Sequence, residues 1–255
     1  MDFRTYVFLF ATLSVCINTF VCVVTTLPIP GFKSLRGVVG LITYRAALGS
    51  ALLGFLYRIG YSVKRPSSWS LSGVKQSIDP IVNSNGFQYS LYCFIFLLGG
   101  RPVPTVLMPL ATCAAYQVGT ILNKHFGSSM VWQSTGASKL FMYAQENMHR
   151  AMMTCATMEI SMLPVVLMEM FTPARSPTKV FMLVNLLKRR YQCSDNTVFR
   201  IKYTYYDSGY YHRQFWGMVG EKTGPVLSRL GPVRFLVDKG KNWFTSGATE
   251  KAKQK

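Results

Sequence analysis

The feature that most constrains this chain is a stretch near its start, residues 5–32, that carries no charged side chain. An α-helix rises about 1.5 Å per residue, so about twenty residues cross the hydrocarbon core of a bilayer. Residues 6–27 are long enough to span, and Pro28 and Pro30 end the helix. The run exceeds the apolar region of a typical signal peptide and lacks a small-residue cleavage site. It therefore predicts a first transmembrane helix.

Composition extends this prediction to most of the chain. Of 255 residues, 49% are apolar and only 15% are charged, against about 25% charged residues in soluble domains. Further apolar segments cover residues 38–61, 87–98, 105–122 and 151–171. The sequence thus predicts an all-α fold, a polytopic helical membrane protein with three to five membrane-inserted segments and interfacial amphipathic helices.

Two of these segments carry features that affect how they insert and pack. Arg45 and Arg58 interrupt residues 38–61. Because an arginine near the bilayer centre costs about 2.5–3.5 kcal/mol on insertion scales, we expect this segment to lie in the membrane plane or to insert only partly. In residues 105–122, the small residues Ala111, Ala115 and Gly119 recur every four positions. Such a row lets another helix approach closely, so it predicts helix packing.

Glu159 is the residue with the strongest functional argument. A carboxylate inside an apolar segment is costly and normally has a partner. One interpretation is a proton or ion relay. The other is a structural pair with an arginine such as Arg45, or with backbone and hydroxyl groups around Thr157 and Ser161. A transporter should show more buried polar groups and matched broken helices, so we favour the structural pair.

The last quarter of the chain is strongly basic. From Lys188 onward there are fourteen Lys/Arg and five Asp/Glu, and the whole chain has a formal net charge of +18. We predict a helical membrane domain in residues 1–190 and a basic, aromatic, amphipathic membrane-surface tail in residues 191–255. Next to apolar segments, this charge favours anionic lipids over nucleic acid. The predicted membrane-surface residues are Lys188, Arg189, Arg190, Arg229, Arg234 and Trp243.

The basic segments also bear on orientation. Residues 33–86 carry seven Lys/Arg, and the positive-inside rule asks for them on the same side as the tail. Both basic segments can lie on one side only if one apolar segment is a re-entrant hairpin rather than a span, and residues 151–190, with Pro173 and Pro177, are the best candidate. Lys251 and Lys253 match the K-x-K-x-x retrieval signal of endoplasmic-reticulum membrane proteins, which requires a cytosolic tail.

Catalytic signatures are missing from the sequence. His125, His149 and His212 are scattered and have no ligand partner at metal-binding spacing, and the common hydrolase and nucleotide-binding motifs do not occur. The six cysteines contain no C-x-x-C and indicate neither a disulfide framework nor a zinc site. We therefore expect no enzyme activity and no cofactor other than structural lipids.

Four short stretches resemble the family of Transmembrane protein thirty-three and the yeast pore-membrane proteins. They are Tyr44-Arg45-Ala46-Ala47-Leu48, Tyr89-Ser90-Leu91-Tyr92 followed by Arg101-Pro102-Val103-Pro104, Ala156-Thr157-Met158-Glu159, and Leu187-Lys188-Arg189-Arg190-Tyr191. The resemblance implies a non-enzymatic protein of the endoplasmic reticulum and nuclear envelope. It also implies association with membrane-shaping proteins, stress-signalling machinery or nuclear pores, and an amphipathic C-terminal region.

Three functions stay open at this point. The first is a structural or interaction protein of the endoplasmic reticulum or nuclear envelope, with a scaffolding or membrane-shaping role and other membrane proteins as partners. The second is an accessory structural subunit of a large complex, possibly in the mitochondrial inner membrane, since a basic surface without a cleavable presequence fits both. The third is a small transporter or channel that uses Glu159, and it rests on that residue alone.

Overall fold

The computed structural model describes residues 2–26, 33–62, 70, 78, 81–82, 84–99, 102–172, 175–192, 208–227, 235, 239 and 242–243. In these residues the regular structure is helical, without strands, which confirms the predicted all-α class. The helices are α1 (Phe3–Thr26), α2 (Lys33–Ser62), α3 (Asn85–Leu97), α4 (Leu107–Phe126), α5 (Met130–Ser134), α6 (Ala137–Glu146), α7 (Met148–Glu169), α8 (Pro177–Gln192) and α9 (Ser208–Leu227), with a 3-10 turn at Pro104–Val106.

Four helical stretches in the described residues are long and apolar enough to cross a membrane. They are Phe3–Thr26, Gly37–Tyr61, Pro104–Phe126 and Met148–Glu169. This number lies within the predicted range of three to five inserted segments, so the polytopic membrane class is confirmed. A shorter apolar helix, Gly86–Leu97, accompanies them.

Helices α1 and α2 pack against each other along their length and run in opposite directions. Near the end of α1, the Cys22 thiol lies 3.6 Å from the Gly40 carbonyl early in α2. Closer to the start of α1, the Ser14 hydroxyl lies 2.9 Å from the Ser50 hydroxyl, which comes later in α2. A row of contacts in this reversed order means that α2 follows the axis of α1. Together with its length and apolar composition, this packing favours a helix that crosses the membrane over the in-plane or partly inserted orientation predicted for residues 38–61.

The two arginines of α2 do not prevent it from crossing. Arg45 is exposed, and Arg58 lies near the end of the helix with its guanidinium 5.5 Å from the centre of the Phe8 ring. Thirteen residues separate them, which is about 20 Å along a helix. The hydrocarbon core is about 30 Å thick, so long side chains from two such positions can reach toward opposite interfaces.

Helix α3 is the short central helix of the bundle. It begins at Asn85, where the Ser84 hydroxyl accepts a hydrogen bond from the Phe87 N–H (3.2 Å). Its 13 residues span about 20 Å, less than the hydrocarbon core. A helix that is apolar all round is expected to be buried in protein. Most of this helix is buried, although Phe94 is 44% exposed; its buried apolar side chains are Tyr89, Tyr92, Cys93, Ile95 and Phe96.

The remaining long helices also alternate in direction. The Thr105 hydroxyl lies 3.6 Å from the Met162 sulfur, although Thr105 precedes α4 and Met162 is late in α7. An ion pair of 2.6 Å between Lys179 and Glu169 closes the α7–α8 hairpin at the predicted turn. Lys179 also lies 5.2 Å from the centre of the Phe96 ring, so α8 starts beside the end of α3.

These contacts place six helix termini at one end of the bundle, here called the tail end. They are the starts of α1, α3 and α7 and the ends of α2, α4 and α8. The six helices therefore alternate in direction, and α8 ends on the side where α2 ends. The two basic segments thus lie on one side, but α7 is long and apolar enough to cross the membrane, which differs from the re-entrant segment expected for residues 151–190.

Candidate functional site

Three polar side chains from α7, α8 and α9 meet inside the bundle and form what we call the charge cluster: Glu159, Arg190 and His212. Their side chains are 1%, 0% and 0% exposed. The Glu159 Oε2 atom lies 3.2 Å from an Arg190 guanidinium nitrogen and 3.0 Å from His212 Nε2. Buried charges normally occur in such pairs, because an unpaired charge in an apolar interior is very costly.

Helical periodicity explains why the first two residues point inward. Glu159 lies on the buried stripe of α7, and Arg190 continues the buried stripe of α8 formed by Leu183, Leu186 and Leu187. Residues three and four positions apart share a helix face. Arg190 therefore follows the leucines into the core, and our prediction that it lies at the membrane surface is wrong.

Aromatic side chains extend the charge cluster to α2 and α3. The guanidinium carbon of Arg190 lies 3.9 Å from the centre of the Tyr89 ring. That ring stacks on Phe55 of α2 with centroids 5.3 Å apart and an angle of 14° between the planes. A cation over a tyrosine face is attracted by the ring quadrupole. The arginine is thus held on one side by a carboxylate and on another by an aromatic face.

Burial favours the neutral form of His212 in the charge cluster. Burial lowers its pKa below the usual value, and the hydrogen bond with Glu159 opposes that shift only in part. The assigned tautomer is the one in which Nε2–H donates to the Glu159 carboxylate. Glu159 Oε1 and His212 Nδ1 have no hydrogen-bond partner among the described residues.

The geometry favours a structural role for Glu159 over the relay. Its carboxylate is compensated by Arg190 and is not reached by solvent in this structure. The partners that the sequence suggested do not contact it, since Arg45 is exposed on α2. The Thr157 hydroxyl donates instead to the Met153 carbonyl (2.9 Å), and the Ser161 hydroxyl donates to the carbonyl of Met158 (2.8 Å). The charge cluster joins three helices.

The small residues of α4 do not form one packing face. The Ala111 carbonyl accepts a weak contact from the Cys16 thiol of α1 at 3.9 Å, whereas Ala115 is exposed. Gly119 faces α6, where a Cβ atom would lie 2.8 Å from the Phe141 ring. The first position of the row therefore contacts α1, and the last contacts α6.

The predicted surface residues of the tail are only partly described. The Lys188 ammonium lies 3.7 Å from the centre of the Trp243 ring, and Arg189 and Trp243 are exposed. Arg229, Arg234, Lys251 and Lys253 lie outside the described residues, so their roles and the retrieval signal stay predictions. Helix α9, assigned to the tail by sequence, packs against α7 and α8, so helix packing continues beyond residue 190.

Sequence reasoning missed His212 as a member of the charge cluster. The sequence places no metal-ligand partner near it, and so gives it no predicted role. Phe215 and Trp216, three and four positions further on, are partly buried on the same face of α9. This spacing is the only local signal for His212, and it lies in a segment rich in tyrosine.

Fold and site together define a polytopic all-helical membrane protein whose hairpin α7–α8 holds a buried ion pair and is joined to α9 through a histidine. The chain belongs to the family described as Transmembrane protein 33/Nucleoporin POM33, whose model matches residues 2–206. The resemblance noted from the sequence is thereby confirmed. No curated protein and no solved structure matches the chain.

Family membership also gives the location. The family is one of the endoplasmic reticulum and nuclear pore membrane, and the chain is an integral membrane protein of that system. The mitochondrial alternative receives no support from this match. The matched region includes Glu159 and Arg190 and ends before His212.

Proposed function

We propose that the chain is a non-catalytic structural and interaction protein of the endoplasmic reticulum and nuclear envelope. In this role the helical bundle fixes a basic segment at one membrane surface and thereby supports or shapes the membrane. The observation that carries the proposal is the charge cluster, because it joins α9 to the hairpin α7–α8. A rigid connection of this kind lets forces on the tail act on the membrane-crossing helices.

Anionic lipids are the proposed partners of the basic surface. Described basic side chains at the tail end include Arg4, Lys124, Lys139, Arg150, Lys188 and Arg189, and fourteen Lys/Arg occur from Lys188 onward. Near an anionic membrane surface each Lys or Arg contributes about 1 kcal/mol of attraction. By the positive-inside rule, this end faces the cytosol. Structural lipids are the only cofactors that the proposal includes.

Other membrane proteins are the second proposed class of partner. The membrane-crossing helices expose large apolar side chains along their outer faces, with Phe10 and Phe20 of α1 each more than two-thirds exposed. Lipid or a neighbouring transmembrane helix can cover such a face, where packing is governed by shape rather than by a hydrophobic driving force. A scaffold that associates with membrane-shaping proteins would use these faces.

Reconstitution of the full chain into vesicles tests the proposal. We expect the wild type to deform phosphatidylserine-containing vesicles, as seen by electron microscopy, and to do so less when Lys188 and Arg189 are both changed to Gln. Arg175→Gln is the matched control, since Arg175 is exposed at the opposite end of the bundle. Undeformed vesicles at high protein density would contradict the membrane-shaping role.

The same vesicles separate the proposal from a transporter. With a pH-sensitive dye inside, a proton flux that is present in the wild type and lost in Glu159→Gln would overturn the structural role. We expect no flux that depends on Glu159, because its carboxylate is already compensated by Arg190.

A further inference from the structure

The segment between α4 and α7 presents large apolar side chains that other described parts of the chain leave uncovered. Helix α5 exposes 85% of Met130 and 71% of Val131. Helix α6 exposes 70% of Leu140 and 65% of Tyr143. In a soluble protein a contiguous patch of this kind marks an interaction site. Here the neighbouring solvent is a bilayer.

This segment is held firmly on the end of α4. The Tyr116 hydroxyl donates to the Ala144 carbonyl at 2.6 Å, and the Phe141 ring packs directly onto Gly119. The Trp132 indole N–H donates to the Asn123 side chain at 3.2 Å. Three contacts of different kinds therefore fix α5 and α6 relative to a membrane-crossing helix.

The position of the segment places it at the membrane boundary. It connects Phe126 to Met148, the last and first residues of two stretches that can cross a membrane, and both residues lie at the tail end. A short connection between two such termini cannot move far from the interface. Helices α5 and α6 consequently lie where the apolar core meets the headgroups.

Helix α6 has distinct flanks. Phe141 and Ala144 face α4, while Leu140 and Tyr143 share one exposed flank because they are three residues apart. Gln145 is also exposed, but it is five residues from Leu140, about 140° round the helix. The flank with Leu140 and Tyr143 is therefore apolar, whereas the flank with Gln145 is mixed, because it also exposes 60% of Met142.

The charge and aromatic content of the segment suit an anionic leaflet. Residues 123–150 contain three Lys/Arg (Lys124, Lys139 and Arg150) against one acidic residue, Glu146. Trp132 and Tyr143 are of the types enriched at membrane interfaces. An apolar flank beside basic and aromatic side chains is the pattern of an interfacial helix.

We infer that α5 and α6 form a second lipid-contacting surface, which inserts Met130, Val131, Leu140 and Tyr143 into the leaflet at the tail end. The occupant of this surface is lipid of the membrane that the bundle crosses. Because the apolar side chains enter one leaflet only, the segment adds area to that leaflet. The inference depends on the membrane-crossing bundle and not on the structural role proposed above, so each can fail separately.

Photo-crosslinking in the full-length protein tests the inference. p-Benzoylphenylalanine is placed at position 140, 143 or 145, and each variant is reconstituted into phosphatidylcholine vesicles containing phosphatidylserine. These positions are exposed, so the fold should tolerate the probe, which is checked by an unchanged thermal midpoint. Adducts are identified by mass spectrometry of the intact protein.

We expect lipid adducts at positions 140 and 143 and none at position 145. Equal lipid yields at all three positions would overturn the inference, because the helix would then have no lipid-facing flank. An absence of lipid adducts at positions 140 and 143 would also overturn the inference, as would adducts at these positions with a second copy of the chain. None of these outcomes depends on whether the vesicles change shape.

Discussion

At the scale of single residues, the stability of the bundle depends on the charge cluster of Glu159, Arg190 and His212. Two charges are fully removed from water at this point, and their mutual attraction must offset a large desolvation cost. A buried ion pair is for this reason weak evidence of net stability but strong evidence of mutual dependence. Removing one partner leaves the other charge uncompensated in an apolar interior.

Glu159→Gln should therefore destabilise the folded bundle by about 3–5 kcal/mol, the usual cost of breaking a buried pair from one side. The measurement is the free energy of unfolding in detergent, followed by circular dichroism. Glu169→Gln is the matched control, since the Lys179–Glu169 pair is less buried (8% and 19% exposed) and should cost less.

A double variant distinguishes charge from packing. Changing Glu159 to Leu and Arg190 to Met together removes both charges and keeps side-chain volume, and such replacements are often neutral or stabilising. We expect the double variant to be more stable than Glu159→Gln. If it is less stable, the charge cluster would contribute through specific hydrogen bonds rather than through mutual compensation.

His212 makes stability depend on pH in a defined direction. Because burial lowers its folded-state pKa, the unfolded chain binds the proton more readily. The stability from this residue is complete above the unfolded pKa of about 6.5 and is lost as the pH falls below it. His212→Gln keeps an N–H donor and should flatten the decrease in thermal midpoint between neutral and mildly acidic pH.

His125→Gln is the control for that pH profile, because His125 is exposed on α4 and lies outside the charge cluster. Its profile should match the wild type. An unchanged pH dependence in His212→Gln would mean that another group determines it. Glu159 of α7 and Arg190 of α8 are the charged groups that act on His212, and Tyr89 of α3 lies against both of them.

At the scale of helices, the α4–α6 contact depends on the absence of a side chain at Gly119. A Cβ at this position would lie 2.8 Å from the Phe141 ring. Gly119→Ala should cost about 1–3 kcal/mol from overpacking. The free energy of unfolding of Gly49→Ala supplies the reference, because Gly49 has no atom within 4 Å of a built Cβ and reports the helix propensity gain alone.

Shortening the opposing side chain should relieve this clash. The double variant Gly119→Ala with Phe141→Leu is expected to recover part of the stability lost in Gly119→Ala. No recovery would show that the ring is not the group in the way. The contact matters for α6 because it is one of three that hold the segment on α4.

Sequence patterns located the helices better than they located helix partners. Apolar length predicted α1, α4 and α7, and the short α3 could be recognised as too short to span. The orientation of α2 could not, because insertion costs treat Arg45 and Arg58 singly, whereas their separation along a long helix decides the outcome. Arg190 could have been placed inward from the leucines before it, but the pairing with Glu159 depends on tertiary packing.

At the scale of the whole molecule, the alternating directions of α1, α2, α3, α4, α7 and α8 determine sidedness. Because these six helices alternate in direction, the start of α1 and the end of α8 lie at the same end of the bundle. The number of alternating helices could not be predicted from local sequence, because α3 and α8 are shorter than a full span. The contacts of α3 and α8 with neighbouring helices show the direction in which each of them runs.

Labelling of introduced cysteines in sealed microsomes checks this topology. In a Cys193→Ser background, Ser128→Cys after α4 and Arg189→Cys at the end of α8 should react with a membrane-impermeant maleimide. Arg175→Cys, at the opposite end, should react only after detergent is added. All three positions are exposed in the structure. Reaction of Arg175→Cys in sealed microsomes would place both ends of the α7–α8 hairpin on one side.

The position of His212 late in the chain has a consequence for biosynthesis. Glu159 and Arg190 leave the ribosome before His212, whose Nε2 contacts Glu159 Oε2. A nascent chain that stops short of α9 therefore holds the ion pair without one of the two partners of Glu159 Oε2. Synthesis through α9 adds the last contact of the charge cluster.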